Sequence, residues 1–303
     1  MSDAIATFDL TKQYGNSRGI TSLNLHVEQG EIFGFLGPNG AGKSTTLRTL
    51  LGYMKPTSGR AEVLGLDSQA NTVEIHARTG VLPGEFTLDD RMTGRQLIAL
   101  FARLRGISDL SFSQELARRF EADLDRPMRR LSRGNKQKIG LIQAFFHRPE
   151  LIVLDEPTGG LDPLMQETFL ALLEEARERG QTVFFSSHIL AEIERVADCV
   201  GIIRDGKLVA VEDPSQLTGR SLRHYRIEFA EPLDAASEQL IRALPSVTNV
   251  AFDGAVVTFS ADAAADQIVK LAAKHTVASI DVERPTLEEI FLTYYGQREQ
   301  EAA

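Results

Sequence analysis

Short apolar runs alternate with helical periodicities along the first two thirds of the chain. The apolar runs are short enough for buried strands, and they are Glu31–Leu36, Leu151–Leu154, Gln181–Phe185 and Val200–Ile203. Helical stretches over Leu164–Arg179 and Ile189–Ala197 separate the last three runs. Strands that alternate with helices predict a parallel sheet that is covered by helices on both faces.

Two other regions of the first 150 residues carry different patterns. Residues 4–36 read as short strands, and partial alternation with polar neighbours predicts half-buried antiparallel pairing at Ile20, Leu23, Leu25 and Val27. From about Thr93 to Phe146 the period is helical. One face of a helix is predicted from the spacing of Leu97, Leu100, Phe101 and Leu104 at i, i+3, i+4 and i+7, with Gly106 as its stop. Further helices are predicted over Lys43–Leu51, over Ser111–Phe120 and after Gly134.

The pattern restarts after about Thr218-Gly219. Residues 221–303 carry four predicted strands, which are Arg223–Phe229, Val247–Phe252, Ala255–Phe259 and Val277–Val282. Predicted helices cover Leu233–Leu244 and Ala263–Lys274, and Asp253-Gly254 marks a hairpin. The order β-α-β-β-α-β predicts a small C-terminal α+β domain with a ferredoxin-like fold. A last helix is predicted over Thr286–Tyr295.

Charge and cysteine content narrow the classes of protein. The 303 residues carry 33 Lys and Arg against 42 Asp and Glu, a net charge of −9, whereas proteins that grip duplex DNA are usually basic. Residues 221–303 contribute 7 basic and 13 acidic side chains, so −6 of this charge lies there. The single cysteine, Cys199, excludes an intramolecular disulfide. No apolar run reaches the ~18 residues that span a bilayer, so we expect a cytoplasmic protein.

The loop after the first buried strand carries a phosphate-binding motif. Its sequence is Gly37-Pro38-Asn39-Gly40-Ala41-Gly42-Lys43-Ser44, which matches G-x-x-x-x-G-K-[ST] between a strand and a helix. Glycines let successive N–H groups turn inward as an anion nest, and the helix N-terminus adds partial positive charge. Lys43 is expected to reach the β- and γ-phosphates, and Ser44 to supply a hydroxyl ligand to Mg²⁺.

Two acids follow the apolar strand Leu151–Leu154. Successive side chains of a strand point in opposite directions, so Asp155 and Glu156 are expected to have different tasks. We expect Asp155 to hold Mg²⁺, directly or through its water. Glu156 is placed to orient or deprotonate the water that attacks a γ-phosphate.

These motifs, taken together, resemble the ATP-binding subunit of ABC transporters over about residues 1–218. Tyr14 resembles the aromatic residue that stacks on adenine upstream of the phosphate loop. Leu131-Ser132-Arg133-Gly134-Asn135 is similar to the LSGGQ signature. Gly160-Leu161-Asp162 resembles the D-loop, and Ser187-His188 resembles the switch histidine. The resemblance implies a P-loop NTPase fold with a parallel core sheet, an antiparallel β subdomain and a helical subdomain at about residues 85–148.

The resemblance also implies a mechanism with ATP as substrate and Mg²⁺ as cofactor. Two copies face each other head to tail with two ATP molecules between them. The implied ATP-binding residues are Tyr14, Gly37, Asn39, Gly40, Ala41, Gly42, Lys43, Ser44 and Thr45. The signature residues Ser132, Arg133, Gly134 and Asn135 act in trans, with Asp162 in the D-loop. Glu156 and His188 are the implied catalytic residues.

The C-terminal region carries a second resemblance. Pro285-Thr286-Leu287-Glu288-Glu289-Ile290-Phe291-Leu292 is similar to the ending common in ATPase subunits of ABC-2 type exporters, of which the drug and antibiotic exporter ATPases are nearest. The same residues also fit a packed amphipathic helix, and both interpretations can hold together. In that group a separate multi-spanning permease is the partner and chooses the transported molecule. We therefore expect a peripheral location on the inner face of the cell membrane.

The chain departs from the family pattern at two places. Gly84 stands where the family has a glutamine that touches Mg²⁺. Glu85 either supplies an oxygen ligand in its place or faces solvent. Arg133 and Asn135 alter the signature, although Ser132 and Gly134 are kept. Arg133 either reaches a phosphate or a neighbouring acid, or is an exposed cation at a helix start.

Two other functions compete with a transport ATPase. The first is a permease-independent ABC ATPase that acts on nucleic acid or ribosomes. A single phosphate loop and the short span from Ser44 to Leu131 count against it. The second is a slow, nucleotide-gated regulatory module, and the presence of Glu156 and His188 counts against that. Nucleic acid is therefore not an expected partner.

Overall fold

The computed structural model describes residues 2–15, 17–84, 91–214, 223–244, 247–261 and 265–283. The chain divides into two compact units, residues 1–214 and residues 215–303. Each unit has its own apolar core. No helix in the described ranges is long and apolar enough to cross a membrane.

The strands of the first unit form two sheets. In chain order they are β1 (Asp3–Tyr14), β2 (Ser17–Leu23), β3 (His26–Glu28), β4 (Ile32–Leu36), β5 (Ser58–Val63), β6 (Leu66–Asp67), β7 (Thr79–Leu82), β8 (Leu151–Asp155), β9 (Thr182–Ser187), β10 (Cys199–Arg204) and β11 (Lys207–Glu212). The core sheet has the order β11-β10-β4-β9-β8-β7 and is parallel apart from β11. The other sheet is antiparallel, with the order β2-β1-β5-β6 and with β3 paired to β1.

The first unit contains seven α-helices in its described residues, and three of them begin at a side-chain cap. In chain order they are α1 (Lys43–Leu50), α2 (Thr72–Arg78), α3 (Gly94–Leu104), α4 (Ser111–Arg119), α5 (Arg133–Phe145), α6 (Pro163–Glu178) and α7 (Leu190–Val196). Thr93 and Gln96 form a reciprocal capping box at α3. Ser132 caps α5 and Asp162 caps α6, each by accepting a backbone N–H of the first turn.

The core sheet is buried on both faces at its centre. Every residue of β4, β8 and β9 is buried, which is why these strands read as continuous apolar runs. The rings of Phe33 and Phe184 stack at 5.6 Å, and those of Phe35 and Phe184 lie 5.4 Å apart. Each buried aromatic side chain contributes roughly 1.5–3 kcal/mol, so this cluster fixes the strands that carry the site.

The register of the core sheet brings three loops together. Leu36 of β4 pairs with Ser187 of β9, and Asp155 of β8 pairs with Ser186 of β9. Because the strands are parallel, their carboxyl ends meet at one edge of the sheet. The loop after β4, the acids at the end of β8 and the histidine after β9 therefore converge there.

The second unit is the predicted β-α-β-β-α-β arrangement. Its elements are β12 (Arg223–Phe229), α8 (Ala235–Arg242), β13 (Val247–Asp253), β14 (Val256–Ala261), α9 (Ala265–Ala272) and β15 (Val277–Glu283). The sheet is antiparallel with the order β13-β14-β12-β15. One face of β12 is buried, and Tyr225 stacks on Phe259 at 5.2 Å. The helix predicted over Thr286–Tyr295 and the motif from Pro285 to Leu292 lie outside the described residues.

The helix predicted from Leu97 to Leu104 is present as α3, and its apolar face is only partly buried. Leu97 is buried, but Leu100 is 41% exposed and Leu104 is 74% exposed. Ile98, which the helical spacing did not include, is buried instead. Leu104, at the exposed end of this face, lines an open groove, so only part of the apolar face packs in the core. Sequence patterning also left five elements unassigned, which are β5, β6, β7, β11 and α2.

Candidate active site

The phosphate-binding loop lies between β4 and α1, as predicted. Gly40 and Gly42 have φ angles of 82° and 112°, which side-chain-bearing residues rarely adopt. A Cβ at Gly42 would also lie 2.9 Å from Ile20 Cγ2. The loop lines a cavity of about 170 Å³, together with residues on either side of it; the lining includes Pro38, Asn39, Gly40, Gly42, Lys43, Ser44, Thr45 and Glu156.

Lys43 and Glu156 line this cavity, and Glu156 continues a polar chain from Lys43 to His188. Lys43 is 6% exposed, and its Nζ donates to the carbonyl oxygen of Gly37 at 2.6 Å. The same Nζ lies 3.0 Å from Glu156 Oε1, an ion pair without hydrogen-bond geometry. Glu156 Oε2 lies 2.7 Å from His188 Nδ1. One carboxylate therefore links the phosphate-loop lysine to the histidine, and three distant motifs meet at one point.

Asp155 is held by a residue that the sequence analysis missed. Asp155 is 4% exposed, and its Oδ1 accepts a hydrogen bond from Ser186 Oγ at 2.7 Å. The same hydroxyl accepts the backbone N–H of Glu156 at 3.0 Å. Ser186 thus binds both acidic residues. Only the register of β8 on β9 reveals this role, although a serine directly before Ser187-His188 was visible in the sequence.

Gly84, at the expected glutamine position, lies against the same carboxylate. A Cβ at Gly84 would be 2.9 Å from Asp155 Oδ2, so any side chain there would displace one of the two groups. The described residues hold no cluster of three or more His, Cys, Asp or Glu side chains suited to a metal. Glu85, the other candidate ligand, lies outside the described residues.

Backbone strain accompanies the general-base candidate. Glu156 has a φ of 49°, in the left-handed region. Its carbonyl oxygen accepts a hydrogen bond from Gln137 Nε2 at 3.3 Å, and Pro157 O accepts one from the same nitrogen at 2.8 Å. Gln137 lies on α5 and is 7% exposed. Sequence reasoning missed it because only the packing of α5 brings it to this turn.

His188 follows a second buried polar pair. Ser187 Oγ donates to Glu192 Oε2 at 2.7 Å and accepts the backbone N–H of Ile189 at 2.9 Å. These bonds fix the chain on both sides of His188, whose own side chain is half exposed. The backbone next to His188 is therefore held by Ser187. The imidazole contacts Glu156, which lines the cavity.

Tyr14 reaches the beginning of α1. Its hydroxyl lies 3.5 Å from Thr45 Oγ1 and 2.9 Å from Met54 Sδ, and the residue is 40% exposed. The ring is thus available next to the phosphate loop, where an adenine-stacking residue is expected.

The signature residues do not line the cavity at the phosphate loop. Ser132 caps α5 by accepting the N–H of Asn135 at 3.2 Å, and Asn135 Oδ1 accepts the N–H of Asp123 at 3.1 Å. Arg133 is exposed, and no carboxylate of the described chain lies within ion-pair distance of it. Separation of the signature from the phosphate loop of the same chain is what a site completed in trans requires.

The predicted D-loop residue has a local structural role. Asp162 Oδ1 accepts the backbone N–H of Met165 at 3.0 Å, which makes it the N-cap of α6. Pro163 follows at the first helical position, where its missing N–H costs nothing.

Known proteins resemble the chain in sequence and in structure. Residues 20–159 match the family described as ABC transporter. The bacitracin transport ATP-binding protein BcrA of Bacillus licheniformis is 40% identical over 237 residues, which cover 76% of each chain. The Nod factor export ATP-binding protein I of Paraburkholderia xenovorans (strain LB400) is 32% identical over 309 residues, covering 99% of this chain and 100% of that protein.

A solved ATP-binding subunit of an ABC transporter has the same fold. It superposes with a TM-score of 0.65 at 29% identity and covers 71% of this chain and 91% of its own. The similarity over the full length of one relative includes the second unit. The chain belongs to the ABC transporter family and is one of its ATP-binding, ATP-hydrolysing subunits.

Proposed function

We propose that this chain is the motor of an exporter: a homodimer that hydrolyses Mg-ATP and drives a separate ABC-2 type membrane permease. Two relatives are named for bacitracin transport and Nod factor export, which supports the export direction. The transported molecule would be selected by the permease.

The polar chain from Lys43 through Glu156 to His188 carries the proposal. Lys43 Nζ already has carbonyl partners at Gly37 and Pro38, so it is pre-positioned as a cation inside the loop. A γ-phosphate in the loop would replace the Glu156 carboxylate as the anionic partner of Lys43. Glu156 would then be free to accept a proton from the attacking water, while His188 holds the carboxylate and contacts the phosphate.

The residues at the site fit Mg²⁺ that arrives with ATP. Asp155 and Ser44 offer hard oxygen ligands, and Mg²⁺ sites commonly use one or two carboxylates plus substrate phosphates. The lack of a three-residue ligand cluster in the described part of the chain agrees with this kind of site. Bound Mg²⁺ would neutralise phosphate charge, while Ser186 keeps Asp155 in place through Oδ1.

A second copy would complete each site. Ser132 and the N–H of Gly134 lie at the start of α5, where a helix N-terminus favours an anion. They would contact the γ-phosphate on the partner copy and close the dimer on ATP. Hydrolysis would remove that contact and reopen it.

An apolar groove of the first unit offers a docking site for the permease. Its cavity of about 630 Å³ is lined by residues that include Tyr53, Val73, Phe101, Leu104 and Arg105. Val73 is 84% exposed and Leu104 is 74% exposed. Contiguous exposed apolar side chains of this kind mark interaction surfaces.

Arg105 specifies the chemistry of the docking segment. Its guanidinium donates to the carbonyl oxygens of His76, Ala77 and Thr79 at the end of α2, and burial lowers its pKa. No described carboxylate forms an ion pair with it. An amphipathic permease segment with one acidic side chain would neutralise this cation and cover the apolar walls.

Affinity capture tests the proposal. We would express Glu156→Gln in its native host, solubilise membranes with Mg-ATP and identify the proteins that copurify. A stoichiometric multi-spanning membrane protein is expected, and its recovery should fall for Lys43→Ala, which cannot form the ATP-bound dimer. Ribosomes, nucleic acid or no partner would contradict the export function.

A further inference from the structure

The first turn of α5 contacts the turn that follows Glu156. A Cβ at Gly134 would lie 2.4 Å from the carbonyl oxygen of Gly160, so the two backbones are in direct contact. The side chain of Arg133 lies along the same turn, with its Cγ 3.5 Å from where a Cβ of Gly160 would be. Positions 133, 134 and 137 share one face of a helix. The signature therefore packs on the segment that carries the general-base candidate.

Gln137 makes the only side-chain hydrogen bonds in this contact among the residues described. Its Nε2 donates to Pro157 O at 2.8 Å and to Glu156 O at 3.3 Å. The side chain is 7% exposed, so loss of these bonds would leave Pro157 O shielded from water without this donor, while Glu156 O would keep only the backbone N–H of Gly159 at 3.2 Å.

The backbone of Glu156 needs such support. Its φ of 49° is costly for a residue with a side chain, and such conformations persist only where neighbours over-determine them. Two side chains hold it from opposite ends. Ser186 Oγ accepts its N–H at 3.0 Å, and Gln137 donates to its carbonyl oxygen.

We infer that Gln137 is a positioning residue for Glu156. It ties the strained backbone of the general base to the signature helix of the same chain. The signature contacts ATP bound by the partner copy, whereas Glu156 acts on ATP bound by its own phosphate loop. Gln137 thus couples occupancy of one ATP site to the carboxylate geometry of the other, an inference that rests on the proposed function of Glu156.

Kinetics of Gln137→Met test the inference, because methionine keeps the side-chain volume and removes both donors. Turnover at saturating ATP should fall about tenfold, equivalent to about 1.4 kcal/mol, with KM and ATP affinity changed by less than about twofold. Gln137→Asn, which keeps the amide but is too short to reach, should lose the same activity. The matched control is Gln181→Met, which likewise removes a buried Nε2 donor to a proline carbonyl, that of Pro149, at the opposite end of β9 from the site; it should retain turnover within about twofold.

A double variant separates positioning from general damage. On a Glu156→Gln background, where only slow residual hydrolysis remains, single-turnover hydrolysis should not fall further when Gln137→Met is added, because the group that Gln137 positions is already gone. The double variant should still form the ATP-bound dimer, which shows that it folds.

Two results would overturn the inference. One is turnover within about twofold of the wild type for both Gln137 variants. The other is an equal further loss on the Glu156→Gln background. If Glu156→Gln itself hydrolyses ATP at the native rate, the proposed function fails instead.

Discussion

At the scale of single residues, Lys43 is a buried cation whose partners are all oxygen atoms. It has two carbonyl partners and one carboxylate, which together offset the cost of burying its charge. This set of partners is also one that an entering phosphate can join or replace. The lysine is therefore ready for an anionic ligand without rearrangement of the loop.

Replacing Lys43 with alanine should abolish useful ATP binding. Loss of one member of a buried charge pair costs about 2–5 kcal/mol, so ATP affinity should fall about 30-fold or more. Titration with a fluorescent ATP analogue measures this directly. An affinity within about threefold of the wild type would contradict the placement of Lys43 on the phosphates.

Ser186→Ala should lower ATP turnover strongly, whereas a control variant with a similar loss of unfolding free energy should not. The hydroxyl serves both Asp155 and the N–H of Glu156, and a buried group left without its partner costs about 1–3 kcal/mol. The control is Ser113→Ala in α4, outside the candidate active site. This variant removes the 2.7 Å hydrogen bond that the buried Ser113 hydroxyl donates to Leu110 O. Urea unfolding and turnover are measured for both variants. Equal turnover in both would show that Ser186 is merely structural.

His147 should make the protein less stable in mild acid. Burial, aided by the Arg105 charge, lowers its pKa from 6.5 to about 4. As the pH falls, the unfolded chain therefore binds a proton at His147 before the folded chain does. The free energy of unfolding is unaffected above pH 6.5 and decreases as the pH falls from 6.5 towards 4. The loss reaches about 3 kcal/mol at most. In His147→Gln, the plot of unfolding free energy against pH should be flatter over this range. An unchanged slope would contradict the lowered pKa of His147 as the cause.

Motifs predicted the residues whose chemistry is specified by type and spacing. The phosphate loop, the acid pair and His188 were found this way, and the structure brings Lys43, Glu156 and His188 into contact. The roles of Ser186 and Gln137 could not be predicted in this way. Their partners are set by strand register and helix packing, which no short segment of sequence encodes.

At the scale of secondary-structure elements, continuous apolar runs were the most informative sequence signal. Three strands of the core sheet, β4, β8 and β9, are buried throughout and were predicted from continuous apolar runs. The short strands β5 and β6 were missed, because most of their residues are polar or small and β6 has only two residues. The helical spacing predicted the apolar face of α3, whereas packing decides that only part of this face is buried.

The exposed end of α3 predicts a separable effect on permease binding. Leu104→Asp should abolish recovery of the membrane partner, because it places a charge in the apolar groove. ATP hydrolysis by the isolated protein should stay within about twofold of the wild type. Leu240→Asp on α8, at a leucine that is 51% exposed, is the matched control and should retain the partner. Retained capture by Leu104→Asp would exclude this groove as the docking site.

At the scale of the whole molecule, the charge is unevenly distributed. The chain has a net charge of −9, yet residues 126–138 carry six basic side chains and no acidic one. This stretch contains the signature, the part expected to meet the phosphates of ATP on a second copy. This local positive charge favours encounters in which the signature of one copy approaches the negatively charged ATP of the other copy.

The most direct test of the account is the oligomeric state and turnover of Glu156→Gln with Mg-ATP. Light scattering should show a dimer that persists for as long as ATP is present, while phosphate release falls by about 100-fold or more. The wild type should form this dimer only transiently, because hydrolysis reopens it. A Glu156→Gln protein that stays monomeric with bound ATP, or that releases phosphate at the wild-type rate, would contradict the account.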